Sequence, residues 1–313
     1  MPISISLLGL THPNLSAALA VIASEPDVRL AAAWDADRAS VPGAIAAHAV
    51  ADLDTAIRRA DAVVVLAPTD QRPGICLRAA RSGRPVLLEP PLARRAAESR
   101  AAARELSRTR TPVHAAMFLR ELPVLARLRA VLASGLLGRI VGVSASLMLT
   151  RAVDGTLDER ASWLLDPRRG GVGAFSELGT HLLDALQALG APPRIEAVSI
   201  DRGFQPGVDL GGAALGSWAG APLNLRVGWI GRPPGLVLSI DGTRASALVR
   251  DGTLELLSGS GHGRGERWAG APPDPAEGLR AFIERLRRRR LALDGLSAAV
   301  RVQEALERAA RVG

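Results

Sequence analysis

In the N-terminal third of the chain, apolar residues fall into short continuous runs separated by longer segments with a helical period. Ile3 to Leu8, Val28 to Trp34, Ala62 to Leu66, Pro85 to Leu88 and Pro112 to Ala116 read as strands. Leu15 to Ala23, Gln71 to Arg81 and Leu92 to Ser107 read as helices, the second of them closed by Gly83. A strand without polar alternation is buried on both faces, and strands separated by helices run in the same direction. This part of the pattern predicts a parallel sheet covered by helices on both sides.

Beyond about residue 120 the pattern changes. Leu122 to Ser134 is helical and stops at Gly135, Arg139 to Leu149 alternates like a long strand, and residues 170–190 read as a glycine-led helix. From Arg194 to Leu257 the runs RIEAVSID, AALGSWA, LNLRVGWI, LVLSIDG, ASALVRD and TLELLS follow one another with no helix between them. Turn residues, including Asp241-Gly242 and Asp251-Gly252, separate several of these runs, so a largely antiparallel sheet is expected. Residues 258–275 are rich in Gly and Pro and read as a mobile loop, with two closing helices at about 276–290 and 294–311. The fold class expected is therefore an α/β Rossmann domain with a parallel sheet, over residues 1–119. An α+β domain with an open-faced, largely antiparallel sheet follows over residues 120–313, and its closing helices are free to pack back on the first domain.

Composition narrows the function. A chain of 313 residues, 48% hydrophobic, suits two domains rather than one. No basic-flanked apolar leader and no membrane-length apolar run is seen, and the single Cys76 allows no internal disulfide; both fit a cytoplasmic protein. Metal sites of the CxxC type are impossible and the histidines do not cluster, so no metal is expected. The net charge is +8, yet every one of the 39 basic residues is arginine. The run RLRRRR from Arg285 reads as the solvated end of an amphipathic helix with Phe282, Ile283 and Leu286 inward, and with few aromatics to stack on bases no nucleic-acid partner is expected. Without lysine, Schiff-base chemistry, a lysine general acid and a P-loop lysine are all excluded.

The first strand runs into Gly9-Leu10-Thr11-His12-Pro13-Asn14 before a helix begins. Glycines in such a turn let a pyrophosphate approach a helix N-terminus, and only the first of the usual three is present, with Thr11 and Asn14 in the other places. Asp35 ends the second strand, about 20 residues beyond the turn, where a carboxylate accepts hydrogen bonds from the adenosine ribose hydroxyls and repels a 2′-phosphate. That favours NAD over NADP, with Arg38 nearby as a counterweight. Capping of the next helix is the alternative role for Asp35.

Three longer stretches carry a family resemblance. DAVVVLAPTDQRPGICLRAARSGRPVLLEPPLA from Asp61 resembles the strand, Thr-Pro turn, helix and Glu-Lys-Pro pattern of the Gfo/Idh/MocA oxidoreductases. RELPVLARLRAVLASGLLGRIVGV from Arg120 is similar to that family's link into its second domain. WLLDPRRGGVGAFSELGTHLLDALQALGA from Trp163 resembles its glycine-led helix ending in histidine and aspartate, and Phe282 and Gly295 match the closing helix pair. The resemblance implies NAD or NADP as cofactor and oxidation or reduction of a small carbonyl, alcohol or imine, sugar-like or biosynthetic. It implies a homodimer or homotetramer through the open sheet. It places the nucleotide on Gly9, Leu10, Thr11, His12, Asn14, Asp35, Arg38, Pro68, Thr69, Arg72, Glu89 and Pro90. It places substrate near Trp163, Arg120 and Asp184.

The chain departs from the family at its reactive positions. The lysine of the Glu-Lys-Pro motif is Pro90, the aspartate four residues before the histidine is Glu177, and the histidine after the Thr-Pro turn is replaced by Arg72. Glu177 and His181, spaced i, i+4, share one helix face. His181 is the candidate acid/base in place of lysine, with Glu177 to orient it and stabilise its charged form and Asp184 as a second candidate partner. The plain alternatives are a surface polar pair for Glu177 and His181 and a core role for Trp163. His12 and His48 read as local features, with His12 able to contact the cofactor, and His114 as packed. The competing function is a degenerate or non-redox relative with a binding, regulatory or scaffolding role.

Overall fold

The computed structural model describes residues 2–157, 160–203, 207–258 and 266–310. The chain divides into two compact units: Met1–Ala116, Thr156–Val172 and Gly278–Arg301 form the first, and Met117–Gly155, Gly173–Glu277 and Val302–Gly313 the second.

In chain order the first unit holds β1 (Ile3–Leu8), α1 (Leu15–Ser24), β2 (Val28–Trp34), α2 (Leu53–Arg58), β3 (Ala62–Val65), α3 (Arg72–Arg81), β4 (Val86–Leu88), α4 (Ala96–Arg108) and β5 (Val113–Ala115). The strands form a parallel sheet in the order β2-β1-β3-β4-β5. β1 lies between β2 and β3, so the connections leave it in opposite directions. That makes the carboxyl ends of β1 and β3 the topological switch point, where open α/β sheets bind ligands. The central strands are buried on both faces, and one side of the sheet packs Val63, Val65, Leu88, Leu53, Ile57, Ile75 and Leu296 into a single cluster.

Two local features differ from the sequence pattern. α4 begins at Ala96 rather than at Leu92, because Leu92 and Ala93 are buried ahead of it and the Ser99 hydroxyl accepts the Ala93 N–H at 2.9 Å. α2 was not expected from periodicity; its signal is local, since the Asp52 carboxylate caps it by accepting the Thr55 N–H at 2.7 Å.

The second unit contains α5 (Phe118–Glu121), α6 (Pro123–Ala133), β6 (Ile140–Met148), α7 (Ala174–Leu189), β7 (Arg194–Asp201), β8 (Gly211–Trp218), β9 (Ala221–Gly228), β10 (Gly235–Gly242), β11 (Ala245–Arg250), β12 (Thr253–Ser258) and β13 (Arg267–Ala269). Its sheet runs β13-β12-β11-β10-β6-β9-β8-β7 and is antiparallel except for the β6–β9 pair. Alternation is strict on β9, where Leu223, Leu225 and Val227 are buried and Pro222, Asn224 and Arg226 are exposed. α7 packs against β6, β8 and β9 and α6 against β12, whereas strand residues such as Val141 and Leu215 are exposed. The Gly/Pro-rich segment is not simply a loop: β13 pairs Trp268 with Leu254, while His262 lies outside the described residues. The closing helices α8 (Glu277–Arg287) and α9 (Ser297–Ala310) end the chain. The basic run starts inside α8, where Arg287 pairs with Glu25 and Asp27.

Candidate functional site

The turn after β1 is built around one obligatory glycine. Gly9 has φ +87, and a Cβ there would lie 2.2 Å from the Ala67 Cα, so the turn packs against the backbone that follows β3 with no room for a side chain. Asp35 at the end of β2 braces the same turn: one carboxylate oxygen accepts the Leu10 N–H at 2.6 Å and the other the Asp37 N–H at 2.9 Å. Bracing the turn is a role beyond the two considered for this residue, and the short helical turn that follows is capped by Asp37, which accepts the Ala39 N–H at 3.0 Å. A carboxylate offers about four lone-pair sites, so two acceptor positions remain. Arg38 is exposed in the short turn beyond it.

Thr11 and Asn14, which stand where glycines were expected, are both half-buried. The Thr11 hydroxyl oxygen is buried with no hydrogen-bond partner among the described residues. His12 is buried, its Nδ1 accepts the Asn14 N–H at 3.1 Å, and its ring lies 5.9 Å from that of Trp163. Trp163 is 2% exposed and donates its indole N–H to the Thr11 carbonyl at 3.3 Å, so it packs against this turn.

Arg72 occupies the centre of this unit's polar architecture. It is 1% exposed; Nε donates to the Ala67 carbonyl and a terminal nitrogen to the Pro91 carbonyl, each at 2.8 Å, and the guanidinium lies 5.6 Å from the centre of the Trp163 ring. It clamps the turn after β3 to the turn after β4. Pro68, Thr69, Glu89 and Pro90 are all buried in those two turns. Segment 161–171 crosses the same end of the sheet: the Arg169 carbonyl accepts the Asp70 N–H at 3.0 Å, and the Arg168 carbonyl accepts from Arg94 at 2.8 Å. The predicted nucleotide-binding residues thus gather at the carboxyl ends of β1, β2, β3 and β4, with Trp163 among them.

In the second unit, α7 carries Glu177, His181 and Asp184, all buried, so the surface-pair alternative fails. The N-terminus of α7 is held by a residue that sequence reasoning missed. Asp209, ahead of β8, accepts the Phe175 N–H on its carboxylate at 2.6 Å and the Ala174 N–H on its carbonyl at 3.2 Å. Gly173 is required there, because a Cβ would meet an Asp209 carboxylate oxygen at 2.1 Å. Burial pushes the Asp209 carboxyl up to about 6.

Glu177 does not orient His181. One of its oxygens accepts from Arg151 at 2.7 Å and the other from the indole N–H of Trp229 at 2.7 Å. Burial pushes the Glu177 carboxyl up, but the Arg151 cation, helped by His181 and by the bonds from Arg151 and Trp229, outweighs it and holds the group below its ordinary value. His181 sits edge-on to Phe118 with ring centres 4.7 Å apart, and its Nδ1 is buried with no partner among the described residues. Burial drives its titration down to about 4, with Glu177 opposing and Arg151 assisting, so the imidazole is neutral at ordinary pH. Glu177 does favour the charged form of His181, as expected, but burial outweighs it, and no hydrogen bond joins the two side chains among the described residues.

Asp184 is likewise not a partner of His181. It is fully buried in a bidentate ion pair with Arg120, whose Nε donates at 2.5 Å. Two of the three residues expected at substrate are thus bound to each other, tying α5 to α7. Arg151 and Trp229, like Asp209, carry no local sequence signal. They lie 26 and 52 positions from Glu177 and meet it only through the fold.

Comparison with known proteins agrees with this layout. Residues 6–116 match a family model described as "Oxidoreductase family, NAD-binding Rossmann fold", and residues 125–248 match one described as "GFO/IDH/MocA C-terminal domain". An oxidoreductase of Formosa agariphila is 25% identical over 126 residues, a match that spans 40% of this chain and 39% of that protein. Among solved structures, a 3-ketoreductase from Actinomadura kijaniata with NADP and TDP-benzene is 17% identical with a TM-score of 0.83, covering 99% of this chain and 98% of the other. Levoglucosan dehydrogenase with NADH and levoglucosan is 17% identical with a TM-score of 0.82, covering 100% and 98%. At such identities these structures speak to the fold.

Proposed function

The chain belongs to the Gfo/Idh/MocA family of NAD(P)-dependent oxidoreductases, and from that premise we propose that it interconverts an alcohol and a carbonyl, or an imine, on a small sugar-like or biosynthetic substrate. The observation that carries the proposal is the Asp35-braced turn after β1 at the switch point of the parallel sheet. The residues there fit a dinucleotide. The N-terminus of α1 has no side-chain cap from Asn14, and the buried Thr11 hydroxyl faces no partner among the described residues. Gly9, Leu10, Thr11, His12 and Asn14 would hold the pyrophosphate side. Asp35 would accept from ribose hydroxyls, which favours NAD. Pro68, Thr69, Arg72, Glu89, Pro90 and Trp163 would wall the remainder. Bound nicotinamide supplies the hydride donor or acceptor.

His181 takes the proton-transfer role that the family gives to lysine. A neutral imidazole with an unpartnered nitrogen accepts a hydroxyl proton without first losing one of its own. Pro90 has no proton to give. Arg120 and Asp184 serve this reading by fixing α5, and with it Phe118, against the helix that carries His181. A cytoplasmic location and a homo-oligomer formed through the open sheet face complete the proposal.

The test is titration of the purified protein with NADH and NADPH by nicotinamide fluorescence, followed by a screen of cyclic and open-chain polyols with NAD. Tighter binding of NADH, with turnover abolished in His181→Ala while NADH affinity is kept, is the expected result. Failure of both nucleotides to bind would remove the redox assignment.

A further inference from the structure

We propose that Arg168 and Arg169 bind a phosphate group on the substrate, so that the sugar-like molecule of the redox reading is a phosphate ester. The proposal deepens that reading and rests on it for calling the anion a substrate.

The argument begins with how the two arginines are placed. The segment Thr156–Val172 belongs to the first unit. A short helical turn over Ser162–Leu165 carries Trp163, and the chain then bends at Asp166. The Asp166 carbonyl accepts the Arg169 N–H at 3.0 Å and the Gly170 N–H at 2.8 Å, while its carboxylate accepts the Arg168 N–H at 2.8 Å. This knuckle is fixed to the turns after β4 and β3 through the Arg168 carbonyl, bound by Arg94, and the Arg169 carbonyl, bound by the Asp70 N–H. Gly171, with φ +74, completes the fit, because a Cβ there would lie 2.3 Å from the Arg94 Cβ. The main chain of the two arginines does the anchoring, and their guanidinium groups take no part in it.

Those guanidinium groups are available to a ligand. Arg168 and Arg169 are exposed, as is Arg95 nearby, and their side chains have no hydrogen bond or ion pair among the described residues. The acids of the same turns do not engage them. Asp166 is turned to main-chain N–H groups, Glu98 lies 3.6 Å from Arg94, and Asp70 is exposed and pairs with neither arginine. A guanidinium donates in a planar fork that matches phosphate oxygens, and two neighbouring forks suit a dianion better than a single carboxylate.

The sheet topology says whose phosphate this is. β2, which ends in Asp35, lies on one side of β1, and β3 and β4 lie on the other. The arginines are fixed to the turns after β3 and β4, across the switch point from the carboxylate that would take the adenosine ribose. A nucleotide 2′-phosphate belongs at the Asp35 end. A phosphate at Arg168 and Arg169 therefore sits on the other reactant.

The experiment is an arginine-selective NMR titration of the full chain with inorganic phosphate at constant ionic strength, with signals assigned from Arg168→Gln and Arg169→Gln. In the parent protein both Nε–H signals should shift and saturate. In Arg168→Gln/Arg169→Gln the phosphate affinity should fall by about tenfold or more, with thermal unfolding and NADH binding unchanged. Equal phosphate affinity in the two proteins overturns the proposal. A selective loss of NADPH binding in the double variant overturns it as well, because the arginines would then belong to the nucleotide. If circular dichroism shows the double variant unfolded, the single variants are compared with the parent, and equality again overturns it. Turnover with NAD of matched polyols and polyol phosphates gives the second reading. KM for the phosphate ester should rise by about tenfold in the double variant with kcat kept. Turnover confined to uncharged polyols, at a KM that the double variant leaves unmoved, overturns the proposal. A protein that binds no NADH but loses phosphate in the double variant would sink the redox reading and leave the anion site standing. Unmoved phosphate affinity in a protein that binds NADH would do the reverse.

Discussion

Replacing Asp209 with asparagine should make the protein more stable at neutral pH and newly sensitive to acid. Asparagine keeps a carbonyl oxygen to accept the Phe175 N–H but cannot titrate. The Asp209 carboxyl is raised from 3.8 to about 6, so the folded state binds the proton more tightly than the unfolded chain does. Its contribution is fully present below the unfolded value and is lost as pH rises through about 6. At about 1.4 kcal/mol per unit the shift amounts to about 2–3 kcal/mol, the lower figure allowing for partial exposure. His181 has the opposite sign. Its value falls from 6.5 to about 4, so its contribution is present above the unfolded value and is lost as pH falls through that window. That loss is about 3 kcal/mol.

The two terms oppose each other between about pH 4 and pH 6.5. Asp61, with its titration lowered by the Ser4 hydroxyl and amide, loses its contribution only at lower pH. Asp209→Asn removes one of the opposed terms. It should gain about 2–3 kcal/mol near pH 7, keep none of that gain near pH 4, and show a bare acid slope of about 3 kcal/mol across the window. Urea unfolding followed by tryptophan fluorescence, which reports Trp218 and Trp229 in the same unit, reads all three quantities. A constant offset between variant and parent at every pH would refute the reasoning, because it would mean that Asp209 titrates alike in the folded and unfolded chain.

Three further outcomes follow from the first unit. Gly9→Ala should cost about 1–2 kcal/mol for its left-handed backbone and more for the Cβ driven into Ala67, lowering the unfolding temperature and abolishing NADH binding together. Asp35→Ala strands the buried Leu10 N–H and should cost about 1–3 kcal/mol by thermal denaturation, and it should narrow any NADH-over-NADPH preference seen by fluorescence titration; an unchanged preference would remove Asp35 from the nucleotide site. Cys76, fully buried with its thiol pushed up to about 12, should resist Ellman's reagent in the native protein near pH 8 and react at once in denaturant.

The sheets were legible because their signals are local. A parallel strand such as Val63 to Val65 is apolar on both faces, and the half-covered β9 alternates; the two periods separate the units without any long-range information. Asp251-Gly252 marked a hairpin correctly, and both residues have positive φ, as the tight turn requires. Asp241-Gly242 marked the right connection one step early: both residues still pair with β6, and Thr243 and Arg244 make the bend. The site was legible only in its addresses. Helical spacing put Glu177 and His181 on one face, and from there a mutual pairing was the natural inference. Which partners they take is decided by residues from other elements, Arg151 and Trp229, and no spacing rule reaches them. The Arg120–Asp184 pair shows the same limit, since each residue was singled out but their bond to each other was not.

The loss of glycines from the first turn separates two demands that the family pattern blends. Gly9 is retained because a side chain there would enter the Ala67 backbone, a requirement of the fold whether or not a nucleotide binds. In the family pattern the other two glycines serve the approach of the phosphate, and here those positions are Thr11 and Asn14, both half-buried. A glycine lets a phosphate approach the main chain, whereas a threonine hydroxyl can donate to it directly. The Thr11 hydroxyl oxygen is buried with no partner among the described residues, and the proposed site gives it a phosphate to donate to. Thr11→Val, matched in shape but without a donor, should weaken NADH binding while leaving unfolding almost unchanged. Thr11→Gly should bind more tightly than Thr11→Val. Equal affinities for all three proteins would mean that the hydroxyl is an accident of packing and that the turn binds its nucleotide through the main chain alone.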